Sequence, residues 1–182
     1  MAILPKSESR TLTSRQRKGR TVNAVVEMLR KRLSVPNIYI EPSSSLIAAD
    51  VLAVDRAGSG DLHAVVVELS DVAAILDAKQ WMLTNVKARI QQLTSLPAHY
   101  RYLAIPQNLR DLLVRGLGPH LYSEDGIGRI GIISIMERGE EPPVAELLIT
   151  PERFRVDAAK LSKIEKNLIN NKKVRPDIEV RI

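Results

Sequence analysis

Two apolar runs in this chain each end near a carboxylate. Ala49-Asp50-Val-Leu-Ala-Val-Asp55 and His63-Ala-Val-Val-Val-Glu68-Leu69-Ser70 are joined by a Gly-rich turn, so Asp50 and Glu68 are carried by consecutive strands. Two carboxylates held that way suit a hard divalent cation, because Mg²⁺ takes oxygen ligands and keeps several of its waters. Such a cation neutralises the charge that develops when a phosphodiester is cleaved. It also lowers the pKa of its bound water well below the ~15.7 of bulk water.

The elements that must position these groups follow from apolar periodicity. Val22, Val25, Val26, Leu29 and Leu33 fall on one face of a helix with Thr21 as its N-cap and Pro36 as its stop. A short strand covers about 37–41. Strands over about 47–54 and 62–69 flank Arg56-Ala-Gly-Ser-Gly60, a run of small residues that predicts an antiparallel hairpin. Ala64-Val65-Val66-Val67 is apolar throughout, which predicts a central strand covered on both faces. A long helix over about 73–95 ends before Pro97, and a strand over 100–105 is ended by Pro106. A short helix at about 107–116, a strand at 129–135, an edge strand at 144–149 and a basic amphipathic helix at 157–171 complete the order. Helices should cover both faces of a central mixed sheet, an α/β sandwich. The expected organisation is a flexible basic arm over 1–20, an α/β domain over 21–150 and a basic helical extension over 151–182.

In this order the chain resembles the PD-(D/E)xK nuclease superfamily, the restriction-endonuclease-like fold, over about residues 21–135. The resemblance rests on Asp50 entering the second strand and Glu68 ending the third. It rests also on Tyr100-Arg-Tyr-Leu-Ala-Ile-Pro106 after the long helix and on Gly126-Ile127-Gly128 before the last core strand. It implies a three-layer sandwich and a Mg²⁺ (or Mn²⁺) site made by Asp50, Glu68 and the Leu69 carbonyl. It also implies a lysine two residues after the glutamate to orient the attacking water, and there this chain has Ser70.

Lys79 is the candidate replacement. Val72, Leu76, Leu83, Val86, Ile90 and Leu93 make a stripe at helical spacing, and Lys79 lies in the middle of it. An inward ammonium needs a partner, since burying one unpaired is costly, and Glu68 would serve. The alternative is that Lys79 snorkels, with its stem buried and its head in water. Asp55 and Asp61 flank the hairpin turn and read as solvated turn residues, and Asp71 and Asp77 as acids of the first helical turn. Glu27 reads as a surface residue. His63, His99 and His120 have no metal-ligand spacing and read as structural.

The net charge of +6 is unevenly spread: nine Lys/Arg against two Glu over 1–34, nine against fourteen Asp/Glu over 35–150, and nine against five over 151–182. Basic ends around an acidic middle suit a polyanion-binding protein, and charged tails that keep a protein soluble would look the same. Arg15, Arg17, Lys18, Arg20, Arg30, Lys31, Arg32, Lys172 and Lys173 are the best candidates for phosphate contacts, with Lys160, Lys163 and Lys166 beside them. Aromatic residues make up only 3% of the chain, which argues against a stacking platform for single strands. The absence of cysteine excludes disulfides, zinc–thiolate sites and thiol catalysis. No apolar run approaches the ~18 residues that span a membrane, so a cytoplasmic location is expected. The functional expectation is a Mg²⁺-dependent DNA endonuclease of repair, recombination or a mobile element. Its competitor is an inactive nuclease-like protein that binds DNA or a protein partner. A weaker reading makes the edge strand at 144–149 the seam of a homodimer.

Overall fold

A computed structural model of the chain describes residues 13–33, 37–40, 48–55, 60–69, 86–110, 130–139 and 141–170. Six strands form one mixed sheet: β1 (Asn37–Ile40), β2 (Val51–Val54), β3 (Leu62–Val67), β4 (Tyr100–Pro106), β5 (Gly131–Met136) and β6 (Val144–Ile149). Their spatial order follows the chain, β1-β2-β3-β4-β5-β6. β1, β2 and β3 are successively antiparallel; β4 and β5 run parallel to β3; β6 returns antiparallel along the edge. The hairpin and edge-strand expectations are met, and β3 is buried at all six positions, as its unbroken apolar run implies.

Side chains alternate across the sheet and build two cores. On one face Val51, Ala53, Val65, Val67, Tyr102, Ala104, Ile133 and Ile135 pack against Val22, Val25, Val26, Met28 and Leu29 of α1 (Ser14–Leu33). On the other, Leu52, Val54, Leu62, Ala64, Val66, Leu103, Ile105 and Ile132 meet two further helices. Those are α2 (Lys87–Ser95), which gives Ile90 and Leu93, and α3 (Ala158–Asn170), which gives Ile164 and Leu168. The architecture is therefore α/β, with a six-stranded mixed sheet between helices. No described helix is long and apolar enough to cross a membrane.

The first helix starts earlier than its apolar stripe. Thr13 caps it: its Oγ1 accepts the Gln16 N–H at 3.3 Å while the Gln16 Oε1 accepts the Thr13 N–H at 3.0 Å. This reciprocal pair is a capping box, and it takes residues 14–20 of the expected arm into α1. Thr21 is consequently not an N-cap. It is fully buried within the helix, and its Oγ1 has no hydrogen-bond partner among the described residues. Of the helix expected over 73–95, residues up to 85 lie outside the described part. The remainder ends at Ser95 with Val86, Ile90 and Leu93 facing the core as the stripe requires.

Candidate functional site

The hairpin register brings the two carboxylates to one end of the sheet. Val51 pairs with Val65, so Asp50, one residue earlier, lies beside the last residues of β3. The Asp50 N–H donates to the Val65 carbonyl at 2.9 Å, and its Oδ2 accepts the Val67 N–H at 2.7 Å. Glu68 follows directly, and its N–H donates to the Ala104 carbonyl of β4 at 2.9 Å, so the parallel ladder holds the backbone on which it sits. This is the end at which β3, β4 and β5 all finish. In open α/β sheets the ligand crevice lies outside those carboxyl ends.

Each carboxylate faces a cation of the same chain. Lys18 of α1 places its ammonium 2.7 Å from Asp50 Oδ1. Arg89 of α2 donates through Nε to Glu68 Oε2 at 3.0 Å. Arg89 also donates to the Gln92 side-chain oxygen at 3.0 Å, and Gln92 donates onward to the Ala48 carbonyl at 2.6 Å. The chain of contacts thus returns to the segment that delivers Asp50. Beside Lys18, Arg17 makes two hydrogen bonds to Glu137, at 2.7 and 2.9 Å. It lines an open cleft of about 390 Å³ with Pro106, Gln107, Asn108, Ile135 and Glu137 at the ends of β4 and β5. Arg20 donates to the Glu141 carbonyl.

Among the described residues no group of three or more His, Asp or Glu side chains is placed to hold a metal ion. The donor chemistry at Asp50 and Glu68 still fits a hard cation. Both present carboxylate oxygens to positive charge at one sheet end, and the charge they meet is organic. A divalent ion held by Asp50, Glu68 and the Leu69 carbonyl would take over positions that Lys18 and Arg89 now satisfy.

The predicted phosphate contacts separate into groups. Arg15, Arg17, Lys18 and Arg20 lie in the first half of α1, at the carboxylate end. Arg30, Lys31 and Arg32 occupy its last turn, where cations complement the helix dipole, and Lys31 pairs with the exposed Glu27 at 3.0 Å. Ser70, Lys79, Lys172 and Lys173 lie outside the described residues, as do Asp71, Asp77, His120 and the Gly126–Gly128 turn.

The opposite end of the sheet holds a buried polar cluster. Asp61, expected as a solvated turn residue, is 4% exposed, and the Arg153 guanidinium binds both of its oxygens at 2.7–3.1 Å. A turn position next to Gly60 carries no sign that position 153 will close over it. The His99 Nδ1 lies 3.5 Å from Asp61, but it accepts the Leu62 N–H at 2.9 Å. That nitrogen therefore carries no proton, the imidazole is neutral, and the His99–Asp61 contact is not a charge pair. His63 stacks between Tyr100 and Tyr102, and its Nδ1 is 3.0 Å from the Tyr102 hydroxyl. Burial lowers the His63 pKa to about 4 and raises that of Tyr102, so both stay neutral. A weakly basic imidazole and a weakly acidic phenol make a packing pair, in agreement with the structural role expected of His63 and His99. Arg101 was not singled out by the sequence. It is buried under the Phe154 ring at 3.8 Å, and it donates to the Thr94 carbonyl in the last turn of α2 and to the Ala98 carbonyl in the segment after it.

No protein-family model and no curated protein sequence matches the chain. Its fold is similar to that of a solved structure, the SPO1766 protein of unknown function from Silicibacter pomeroyi. The two share 12% sequence identity with a TM-score of 0.52, over 89% of this chain and 88% of that one.

Proposed function

We propose that this protein is a Mg²⁺-dependent, DNA-directed nuclease-like protein on a restriction-endonuclease-like scaffold, with Asp50, Glu68 and the Leu69 carbonyl as the metal ligands. The observation that supports the reading is that Asp50, whose carboxylate accepts the Val67 N–H, and Glu68, the next residue along, belong to the same end of the sheet. The succession of α1, the β1-β2-β3 meander, α2 and a β4 parallel to β3 supports the scaffold assignment. The bound metal would supply charge neutralisation and an activated water. The chain's own residues have separable tasks. The Val67 N–H fixes the Asp50 carboxylate, the β3–β4 ladder fixes Glu68, and the basic first half of α1 meets the phosphates. Lys79 remains the proposed source of the charge that Ser70 lacks, and Lys18 is a second ammonium, 2.7 Å from Asp50.

One observation favours a second reading, an inactive fold that binds DNA: both carboxylates are ion-paired within the chain. Cleavage of supercoiled, linear and branched DNA with Mg²⁺ or Mn²⁺ separates the two. Metal-dependent cutting by the parent, abolished in Glu68→Ala, establishes the nuclease. Loss in Lys79→Ala as well assigns the relocated lysine. Salt-sensitive DNA binding without cutting establishes the inactive form.

A further inference from the structure

The last strand closes one side of the sheet and leaves its own outer side at the edge. β6 pairs with β5 from Val144 to Ile149, and the spatial order places no described strand beyond it. An edge strand offers backbone groups to another chain, and proteins ordinarily blunt such edges with lysine, an internal proline or a bulge. β6 has neither lysine nor proline among its six residues, and Glu146 is its one charge. The bulge lies between Ile132 and Ile133 of β5, beside the far end of β6, so Val144–Leu147 runs in regular register. Among the described residues Val144 is the one large apolar side chain that is exposed, at 46%.

This edge is continuous with a cleft of about 540 Å³ between β6 and the second half of α1. Its lining mixes apolar Met28, Met136 and Val144 with side chains of both charge signs. Glu27 and Lys31 pair with each other at 3.0 Å within α1. Arg32 and Glu146 also line the cleft; both are exposed, and neither has an ion pair among the described residues.

We propose that β6 is the seam of a twofold homodimer, in which the β6 strands of two copies pair antiparallel about Ala145 and join the two sheets into one. The occupant is a second copy because the surface complements itself. In an antiparallel pair related by a twofold axis, the residue on the axis faces its own equivalent and its neighbours exchange places. With Ala145 on the axis, Val144 lies opposite Glu146 of the second copy. Val144 shares its cleft with Arg32, so each Glu146 arrives beside the Arg32 of the other copy. Both unmatched charges then have partners, and Val144 is covered. The neighbouring registers lack this fit. An axis through Glu146 would set two carboxylates face to face, and one through Leu147 would run the pairing into the bulge. The surface uses other residues than Asp50 and Glu68, and the proposal does not rest on the nuclease reading.

Sedimentation equilibrium and light scattering on the full chain, without nucleic acid, test the seam. A dimer is expected at micromolar concentration. Glu146→Arg and Arg32→Glu each set like charges together twice, once in each symmetric half. Each should therefore raise the dimer dissociation constant by about tenfold or more. The charge swap Arg32→Glu/Glu146→Arg should return it towards the parent value, which a merely misfolded variant would not do. Val144→Lys, which puts a charge on the edge itself, should also favour the monomer. Circular dichroism verifies that every variant is folded. A parent that stays monomeric throughout the micromolar range overturns the proposal. A dimer that none of the single substitutions weakens, or that the swap does not recover, overturns it too by moving the interface to another face. Species larger than a dimer likewise count against it, because a twofold seam is closed.

Discussion

The Arg153 guanidinium holds both carboxylate oxygens of Asp61 at 2.7–3.1 Å, across 92 residues of chain. The pair is asymmetric, with the Asp61 side chain 6% exposed and that of Arg153 52%. Removing the arginine takes a bidentate cation from a buried carboxylate, whereas neutralising the aspartate leaves a guanidinium that water can reach. Arg153→Met is therefore expected to lower the thermal midpoint more than Asp61→Asn, as calorimetry of the two variants and the parent would measure. Equal losses would contradict the asymmetry.

Stability should fall with pH in a window set by His63. Its pKa drops from 6.5 to about 4 in the folded chain, because burial disfavours the imidazolium. Between those values the unfolded state binds a proton that the folded state does not, so stability is complete above pH 6.5 and is lost as pH falls towards 4. The loss is on the order of 3 kcal/mol. His99, also lowered by burial, acts in the same direction. Urea denaturation at pH 7 and pH 4.5 should show the decline, and His63→Gln should reduce it.

Gly131 opens β5 where no side chain fits. A Cβ there would lie 2.7 Å from the Tyr102 ring, 2.8 Å from the Pro151 ring and 3.0 Å from the Ile149 carbonyl. Gly131→Ala should cost about 1–3 kcal/mol through overpacking, readable as a shift of the urea midpoint at unchanged m-value. A neutral result would mean that Tyr102 and Pro151 yield without resistance.

The two basic clusters of α1 should differ in their response to salt. Lys18 and Arg30 are separated by roughly 18 Å along the helix axis, at ~1.5 Å per residue. Nucleic acid bound at the carboxylate end contacts the first cluster. Arg15→Ala/Lys18→Ala should flatten the plot of log affinity against log salt by about 1.8, near 0.9 per lost phosphate contact. Arg30→Ala/Lys31→Ala/Arg32→Ala should change it less. The reverse order would move the interface to the other end of α1.

Much of the fold was legible because its signals are local. The unbroken apolar run at residues 64–67 marked β3 as central, and small residues at 56–60 marked the hairpin. Prolines at 97 and 106 marked where α2 and β4 end. The start of α1 was encoded as well, in Thr13 and Gln16, but residues 14–20 carry no apolar stripe, so periodicity pointed to Thr21 instead. The positions of Asp50 and Glu68 were readable from the strands that carry them. Their partners were not, since Lys18 and Arg89 belong to helices whose polar faces have no pattern that registers with a distant strand. Asp61 was misread for the same reason: burial by a side chain 92 positions away leaves no trace in a turn.

The sheet whose spatial order repeats its chain order also has a kinetic meaning. Each strand that forms finds its neighbour already made by the preceding segment, so the sheet can grow from one edge to the other without threading or rearrangement. The clasp between Arg153 and Asp61 stands outside that progression, because it joins the chain after the last strand to the start of the third. It closes a loop of 92 residues, so in a sheet otherwise built from neighbours in sequence it is a contact that carries a large loop-closure cost.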